Sequence, residues 1–310
     1  MVDLTVVIVN TNTRQLLEEC LNSVVENTAG IKYEIIVVDN DSNDGSPDMV
    51  RNEFPTVKLL LNDRNLGFSV SNNRGFTVSS GRYVLALNPD TLVCGNALSQ
   101  MVEFMDEHPE AGACGCKLLN ADRSLQPSWE SFPTVLSEIF YSTPLNRLFS
   151  HNKRLESHGV YEVDWVSGAC MMVRRETLEE VGMFDERFSP IYSEETDWCY
   201  RIKTSGWKIY YLPDPSIVHL EGQTTKEKPT WFFLQLQRNK YVFFRKHKGL
   251  LYAELYRLLR TASSLAVLFL SFGGYVVRPG SRDFHTRRAQ RNWELMKLFC
   301  DRRLRMPDRI

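Results

Sequence analysis

Short runs of β-branched and other apolar residues alternate with helical patterns through the first third of the chain. Such alternation predicts strands joined by crossover helices, and therefore an α/β fold. The predicted strands cover residues 4–9, 33–38, 57–61 and 82–87. The helical patterns cover residues 16–24, a helix that opens near Ser46 and Pro47, and the segments 69–79 and 97–107.

The pattern weakens after Cys116. Residues 120–160 contain aromatic, proline and polar residues without a sustained period, so we expect an insertion with little regular structure. Regular patterns return with a predicted strand over 164–173, a helix over 194–205 and a strand over 207–212. From Thr230 onward the pattern predicts helices only.

Charge is distributed unevenly along the chain. The 310 residues have a formal net charge of -1, from 37 Lys and Arg against 38 Asp and Glu. Residues 238–310 hold 17 Lys and Arg against 5 Asp and Glu, whereas residues 1–237 hold 20 against 33. An acidic part followed by a basic, apolar-rich tail is expected of an enzyme held near an anionic membrane surface. A basic helical hairpin that packs on the acidic part is the alternative.

The tail contains an uncharged stretch of 17 residues, 261–277. This length is the lower limit for crossing a bilayer. Polar residues and glycines dilute its hydrophobicity, so we expect an interfacial or re-entrant helix rather than a transmembrane span. The basic residues that flank the apolar helix are Arg257, Arg260, Arg278, Arg282, Arg287, Arg288 and Arg291.

The seven cysteines lie mostly inside apolar runs, which predicts reduced core residues in a cytosolic protein. The chain passes from Asp3 directly into the first predicted strand, without the features of a secretory signal. We therefore expect a cytoplasmic location, at the inner face of the cell membrane. No nucleic-acid partner is expected, and the sequence does not indicate the oligomeric state.

Polar side chains follow the second predicted strand, beginning with Asp39, Asn40 and Asp41. Open α/β sheets bind ligands at the carboxyl ends of their strands, where a carboxylate can accept hydrogen bonds from a nucleobase or ribose. An ordinary polar turn is the alternative. The segment fails as a calcium loop, because Asp44 and Val50 stand where glycine and glutamate are needed.

Phosphate-binding loops rich in glycine are missing after the first predicted strand. The sequence therefore argues against a dinucleotide-dependent dehydrogenase and against a P-loop protein. It also disfavours a nucleotidyltransferase, which would use a basic, glycine-rich loop at that position.

Asn88, Pro89 and Asp90 follow the fourth predicted strand. A carboxylate at a strand end suits a divalent cation that bridges a diphosphate, because Mg²⁺ and Mn²⁺ prefer hard oxygen ligands. Alternatively, Asp90 caps the following helix. His219, at the end of a later strand, is a candidate to complete the metal shell with Asp90, although a lone histidine is more often structural.

Glu194, Glu195 and Asp197 place three carboxylates at a predicted helix start. Acidic residues favour a helix N-terminus, and Asp197 and Arg201 form an i,i+4 pair, so a structural role is open. The other interpretation is a general base, with a pKa raised by its acidic neighbour, that deprotonates a hydroxyl group. The spacing alone favours neither.

Taken in order, these segments resemble the inverting glycosyltransferases of family 2, and within them the rhamnosyltransferase-like group of bacterial cell-surface polysaccharide enzymes. The similarity covers about residues 4–225. Residues 7–24 resemble the opening strand and helix, and residues 37–46 resemble the nucleotide-binding loop. The resemblance implies donor contacts from Asn10, Asp39 and Asp41, with Asp39 as the carboxylate that binds the nucleobase.

Residues 65–75 are similar to the segment that lines the family's donor pocket. Residues 88–90 stand where the family keeps its metal-binding Asp-x-Asp motif. The donor contacts implied by these two segments are Asn65, Gly67, Phe68, Asn73, Asn88 and Asp90. The resemblance also implies that Asp90 and His219 bind Mg²⁺ or Mn²⁺.

Residues 194–197 resemble the family's Glu-Asp-x-Asp helix start, which implies Glu195 as the catalytic base and Asp197 as the alternative. Two departures matter. Asn88 replaces the first acid of Asp-x-Asp, which removes one charged metal ligand. Glu195 replaces the usual aspartate, which lengthens the base by one methylene.

The resemblance implies a GT-A-like α/β domain with a mixed central sheet over residues 1–229, followed by a basic, apolar-rich helical tail over residues 230–310. The expected reaction moves a sugar from a nucleoside diphosphate to a hydroxyl group of a glycan or lipid-linked glycan, with inversion. L-Rhamnose from dTDP-rhamnose is the favoured donor, and UDP-linked hexoses remain open. A catalytically silent module that binds a sugar nucleotide or glycan is the alternative, because of the two departures.

Overall fold

A computed structural model describes residues 1–141, 159–220, 229–277 and 279–301. The chain divides into two compact units: the first comprises Met1–Phe132 and Asn152–Gln223, and the second comprises Pro133–His151 and Thr224–Ile310. The sequence predicts a boundary between residues 229 and 230. The division in the structure lies a few residues earlier and assigns the segment after Phe132 to the second unit.

The described strands and helices alternate through the first unit, and helices alone form most of the second. The strands are β1 (Leu4–Asn10), β2 (Tyr33–Asp39), β3 (Lys58–Leu61), β4 (Tyr83–Leu87), β5 (Thr91–Cys94), β6 (Ala111–Leu119), β7 (Leu125–Gln126), β8 (Trp129–Glu130), β9 (Tyr161–Glu162), β10 (Trp165–Val166), β11 (Cys170–Arg174) and β12 (Lys208–His219). The helices are α1 (Arg14–Glu26), α2 (Ser46–Glu53), α3 (Phe68–Thr77), α4 (Ala97–Glu107), α5 (Val135–Tyr141), α6 (Arg175–Val181), α7 (Glu194–Thr204), α8 (Pro229–Lys248), α9 (Leu250–Val277) and α10 (Arg282–Cys300).

A mixed sheet forms the centre of the first unit, with strand order β3-β2-β1-β4-β11-β6-β12-β5. The strands from β3 to β4 are parallel, β11 is antiparallel to both of its neighbours, and β12 is parallel to β6 but antiparallel to β5. β8 and β10 pair separately as a small antiparallel sheet. The predicted mixed α/β fold is confirmed.

Apolar residues cover both faces of this sheet. Val6 and Ile8 of β1 belong to one buried cluster together with Leu17 of α1. Val7 lies in a second cluster with Phe76 and Trp198. Burial on both faces explains why β1 is an uninterrupted apolar run rather than an alternating one. All seven cysteines are free thiols and five of them are buried, as the sequence predicts.

Two predicted strands differ from the structure. The strand predicted over 164–173 is two strands in different sheets, because the chain turns at residues 167–169, where the Cys170 N–H donates to the Ser167 carbonyl. β12 continues past residue 212 to His219, and a register shift between Leu212 and Ser216 accommodates its two prolines.

The predicted irregular region also contains more structure than the pattern indicates. Within residues 120–160, the described part forms β7, β8 and α5, and β9 follows immediately. These elements are short, so none carries a measurable hydrophobic period. Residues 142–158 lie outside the described part of the chain.

In the second unit, aromatic side chains of three helices form the core. Tyr256 of α9 packs against Phe244 of α8 and Phe299 of α10, with ring centroids 4.9 and 6.1 Å apart. The buried Arg260 donates to Gln237 at 3.0 Å. The prediction of helices alone beyond Thr230 is confirmed for the described residues, and α9 is their one helix long and apolar enough to cross a membrane.

Candidate active site

The ends of β1 and β2 place two predicted donor contacts side by side. Asn10 and Asp39 are paired in register, and the Asn10 Nδ2 donates to the Asp39 Oδ1 at 3.0 Å. The other Asp39 oxygen accepts from the Ser42 N–H at 2.9 Å. Asp41 follows with a positive φ of 65° and an exposed side chain. This edge presents an oriented carboxylate that can accept hydrogen bonds from a nucleobase.

Asn40 connects this edge to the next loop, a role that the sequence did not indicate. Its side chain is buried, and its Oδ1 accepts from the Asn62 amide at 2.9 Å and from the Leu66 N–H at 2.8 Å. Its Nδ2 donates to the Asn65 Oδ1 at 2.8 Å. The position of the predicted donor contact Asn65 is therefore set by Asn40.

Gly67 and Phe68 lie against the segment that precedes α7. Gly67 has a φ of +83°, and a Cβ on it would stand 2.8 Å from the Pro190 Cα. The Phe68 N–H donates to the Pro190 carbonyl at 2.8 Å. Only glycine permits both the backbone angle and the close approach at this position.

Asn73, another predicted donor contact, is occupied by the protein itself. Its Oδ1 accepts from the Phe184 N–H at 3.0 Å, and its Nδ2 donates to the Phe184 carbonyl at 2.9 Å and to Glu186 at 3.2 Å. The residue is 8% exposed. Both ends of the Asn73 amide are thus engaged within the protein.

Asn88, Asp90 and His219 meet where β4 and β12 end. The His219 Nε2 lies 3.4 Å from the Asp90 Oδ1 and 3.3 Å from the Asn88 Nδ2. The Leu220 N–H donates to the Asp90 carbonyl at 2.9 Å, which fixes the two segments against each other. The predicted association of Asp90 with His219, 129 positions apart in the sequence, is present in the structure.

Gln126 sets the tautomer of His219, a role that no motif in the sequence indicates. The Gln126 Oε1 lies 2.7 Å from the His219 Nδ1, and its Nε2 donates to Asn120 at 3.0 Å, which orients the amide. An amide oxygen only accepts, so the proton of neutral His219 is assigned to Nδ1. The lone pair of Nε2 then lies on the side of the Asp90 carboxylate.

This donor set fits a divalent cation. A carboxylate oxygen and an imidazole lone pair on one side of a strand end are common ligands, with a hydrogen-bonded amide behind the histidine. No group of three His, Cys, Asp or Glu side chains that could together hold a metal ion occurs in the described parts of the chain. The protein would therefore supply two strong ligands and leave further positions to a bound diphosphate.

Glu195 lies in the first turn of α7, beside the donor segment. A Cβ on Gly168 would stand 3.5 Å from the Glu195 Cβ and 3.9 Å from the Phe68 Cζ. Burial raises the pKa of Glu195 from its ordinary value of 4.5 to about 7. A carboxyl with this pKa is suited to general-base catalysis near neutral pH.

Glu194 is buried next to this group. It is 3% exposed, and its Oε2 has no hydrogen-bond partner among the described residues. Burial, together with the charge of Glu195, raises the pKa of Glu194 well above its usual range. Both effects favour the uncharged form of Glu194.

The surroundings of Asp197 indicate a structural role for this residue. Its side chain is fully buried, and the Arg201 Nε donates to its Oδ2 at 2.9 Å. Arg201 also donates to the Met183 carbonyl at 2.6 Å. A carboxylate held in a buried ion pair is not open to a substrate hydroxyl, so the alternative of Asp197 as base does not fit.

The backbone before α7 is strained. Tyr192 and Ser193 have φ values of 81° and 67°, a region that side-chain-bearing residues rarely adopt. Two such residues in succession cost roughly 1–3 kcal/mol each and persist only where the surrounding structure enforces them. The entry to the Glu195 helix is therefore held in a defined shape.

The family match of this chain and its similarity to a curated protein agree with each other. Residues 5–182 match the family described as Glycosyl transferase family 2. The N-acetylglucosaminyl-diphospho-decaprenol L-rhamnosyltransferase of Mycobacterium tuberculosis is 28% identical over 251 residues, which cover 74% of this chain and 81% of that protein.

Two solved structures share the fold. The mannosyltransferase PcManGT from Pyrobaculum calidifontis, in complex with GDP-Man and Mn2+, has a TM-score of 0.58 and 21% identity over 96% of this chain and 84% of that chain. GalNAc-T7 with UDP, GalNAc and Mn2+ has a TM-score of 0.58 and 18% identity, over 79% of this chain and 48% of that chain.

Proposed function

Because this chain belongs to glycosyltransferase family 2, we propose that it transfers a sugar from a nucleoside diphosphate to an acceptor hydroxyl, with inversion at the anomeric carbon. The family membership confirms the resemblance found in the sequence, and with it the transferase class. The observation that carries the proposal is the position of Glu195, a partly buried base beside Phe68 and Gly168.

The proposed donor is dTDP-L-rhamnose, bound along the edge formed by Asn10, Asp39 and Asp41. The name of the Mycobacterium tuberculosis relative supports rhamnose, and it also supports a lipid-linked acceptor. The proposed product is a rhamnosylated, lipid-linked glycan for cell-surface polysaccharide synthesis. UDP-linked hexoses are the alternative donors.

In the proposed reaction, the acceptor oxygen forms a bond to the anomeric carbon while the bond to the diphosphate breaks on the opposite side. Glu195 takes the proton of the acceptor hydroxyl, and the diphosphate leaves with the electron pair. Asn40 orients Asn65 at the start of the donor segment through a hydrogen bond of 2.8 Å. Asp90 and His219 would hold Mg²⁺ or Mn²⁺, which supplies positive charge for the leaving diphosphate.

The direct test is an assay of the purified chain with dTDP-L-rhamnose and a panel of UDP- and GDP-sugars, using a short-chain polyprenyl-diphosphate N-acetylglucosamine acceptor. We expect a rhamnosylated product of inverted anomeric configuration, read by NMR. Transfer from a UDP-hexose alone would replace the donor assignment. Donor binding without turnover on any acceptor would favour the silent binding module.

We further propose that the second unit binds an anionic membrane surface at the cytoplasmic face. Leu265, Phe269, Phe272 and Val276 of α9 are 43%, 78%, 72% and 58% exposed, and their spacing places them on one helix face. Tyr256 and Ser264 are buried, so another face of the same helix packs on the unit. A helix divided in this way lies in the interface rather than across the bilayer.

Basic residues on α10 supply the matching charge. Arg282, Arg287, Arg291 and Lys297 are exposed on that helix. Each such residue near anionic lipid contributes about 1 kcal/mol to membrane binding. Arg278 and residues 302–310, which add to the basic tail, lie outside the described part of the chain.

Vesicle sedimentation tests this assignment. We expect the chain to pellet with phosphatidylglycerol vesicles at low salt and not with phosphatidylcholine vesicles. The double variant Phe269→Ser with Phe272→Ser should lose most of the binding, whereas Val25→Ser, an exposed valine of α1, should not. Failure to pellet at low salt would favour a hairpin that packs on protein.

A further inference from the structure

We propose that Asn73 is a positioning residue that holds the Glu195 helix in place relative to the donor segment. This inference rests on the proposed function, because it assumes that Glu195 is the base and that residues 65–68 face the donor. It replaces the donor-contact role that the sequence indicated for Asn73.

The first step is the connection that Asn73 makes. It binds both the N–H and the carbonyl of Phe184, a residue 111 positions away, and it adds a third contact to Glu186. An amide that pairs with both the N–H and the carbonyl of one residue fixes the orientation of that backbone, not only its distance. Residue 184 is therefore attached to the middle of α3.

The second step leads from Phe184 to α7. The Phe184 ring lies 4.5 Å from the Trp198 ring, centroid to centroid. The Trp198 Nε1 donates to the Gly182 carbonyl at 2.7 Å, and Arg201 donates to the Met183 carbonyl at 2.6 Å. Three consecutive residues, 182–184, are thus attached to the helix that begins with Glu194 and Glu195.

The third step leads from α3 to the donor segment. α3 begins at Phe68, whose N–H donates to the Pro190 carbonyl at 2.8 Å, and the Phe68 and Phe184 rings are 5.8 Å apart. The segment from 184 to 190 is therefore fixed to α3 at both ends. Through it, α3 and α7 form one connected body that carries Phe68 on one side and Glu195 on the other.

Loss of this connection should affect the chemical step more than donor binding. The donor contacts at Asn10, Asp39 and Asn65 do not pass through Asn73. A base displaced by about 1 Å loses up to ~100-fold in rate. We therefore expect Asn73→Ala to lower kcat by ~10- to 100-fold and to change the KM for the donor by less than about twofold.

The experiment compares Asn73→Ala with the matched control Asn292→Ala. Asn292 of α10 is 8% exposed, as Asn73 is, and its amide donates to the Arg288 carbonyl at 2.8 Å. Both variants lose a buried amide, so both should lower the melting temperature, but only Asn73→Ala should lower kcat strongly. Equal effects of both variants on kcat would overturn the proposal, as would a loss confined to the KM for the donor.

A rescue variant distinguishes the loss of positioning from a general folding defect. Asn73→Asp keeps the acceptor for the Phe184 N–H but places a carboxylate against Glu186. Adding Glu186→Gln supplies an amide donor to that carboxylate and should restore part of kcat. If Asn73→Ala does not fold, Phe184→Leu changes the same connection by removing the ring contact with Trp198, and it should also lower kcat without raising the KM for the donor.

A combined variant separates this inference from the proposed function. If Asn73 acts through Glu195, Asn73→Ala should have little further effect on kcat in a Glu195→Gln background. Full additivity of the two substitutions would overturn the positioning role while leaving Glu195 as the base. Retained turnover of Glu195→Gln alone would instead overturn the base assignment.

Discussion

The backbone N–H of Asn88 donates a hydrogen bond of 3.0 Å to the carbonyl oxygen of Ala169. Ala169 follows Gly168, the residue that Glu195 packs against. One short turn, residues 167–169, therefore lies between the segment that carries Asp90 and the helix that carries Glu195. The segments of Asp90, the predicted metal ligand, and of Glu195, the predicted base, therefore border the same turn.

Substitutions at Gly168 should show how much space beside Glu195 the reaction needs. A methyl group would make only ordinary contacts, the nearest at 3.5 Å, so Gly168→Ala should change the free energy of unfolding by less than about 0.5 kcal/mol. Gly168→Leu would fill the space beside Glu195 and Phe68 and should reduce turnover by at least tenfold. Urea unfolding and steady-state kinetics measure the two effects. Full activity of Gly168→Leu would show that the acceptor approaches from elsewhere.

Glu195→Gln should remove the base and keep the shape. General-base catalysis contributes ~10²–10⁴-fold, so kcat should fall by that factor. Donor affinity, measured by calorimetry, should stay within a few fold because Glu195 has no hydrogen bond to the donor edge. Retained turnover would exclude Glu195 from the mechanism.

Asp197→Asn should act on stability instead. Removing one partner of a buried ion pair typically costs 3–5 kcal/mol, roughly the range expected for the bond to Arg201. The melting temperature should therefore fall by several degrees, more than in Glu195→Gln. A variant with wild-type stability and no activity would return Asp197 to the list of candidate bases.

The dependence on pH should have opposite signs for activity and stability. Because burial raises the pKa of Glu195 to about 7, kcat should rise with pH and level off above that value. Between pH 4.5, the ordinary value, and about 7, the folded chain binds more protons than the unfolded chain, so this group makes the free energy of unfolding fall as pH rises. Comparing both profiles with those of Glu195→Gln isolates its contribution. An identical stability profile in the variant would contradict the elevated pKa.

Gln126 should control the affinity of the cation site. Gln126→Leu removes the acceptor for the His219 N–H, and loss of such a partner typically costs 10–100-fold in metal affinity, so a decrease of about that size is expected for Mn²⁺. Gln126→Glu keeps an acceptor and should lose much less. Calorimetric titration of Mn²⁺ in the presence of a nucleoside diphosphate measures both. Undiminished transfer in excess chelator would remove the cation from the reaction altogether.

Much of the sheet could be predicted because its strands are buried on both faces. β1, β2 and β4 each contain at least four consecutive apolar residues, and each predicted range agrees with the structure within one residue. β12 was predicted too short, since Pro213 and Pro215 argue against a strand while a register shift tolerates them. The hydrophobic pattern indicates only the local preference for a strand, whereas the register shift depends on the pairing of β12 with β6.

The residues of the candidate site also fall into those that the sequence could predict and those that it could not. Asp90, His219 and Glu195 carry reactive groups at element ends, so a sequence motif can indicate them. Asn40 and Gln126 carry neutral amides whose importance lies in their partners, and the partner of Gln126 is 93 positions away. The contacts of Asn73 with Phe184 could not be predicted for the same reason, because a motif does not show which atoms an amide binds.

The position of β12 in the sheet also has a consequence for how the protein folds. This strand lies between β6 and β5, and His219 is its last residue. Asp90 and Gln126 precede it by many positions, so the pocket for a cation is complete only when β12 has paired with β6 and β5. Such non-local pairing is slow. A cation bound there would stabilise the completed sheet by its free energy of binding. The time course of metal binding during refolding would therefore report when β12 pairs with its neighbours.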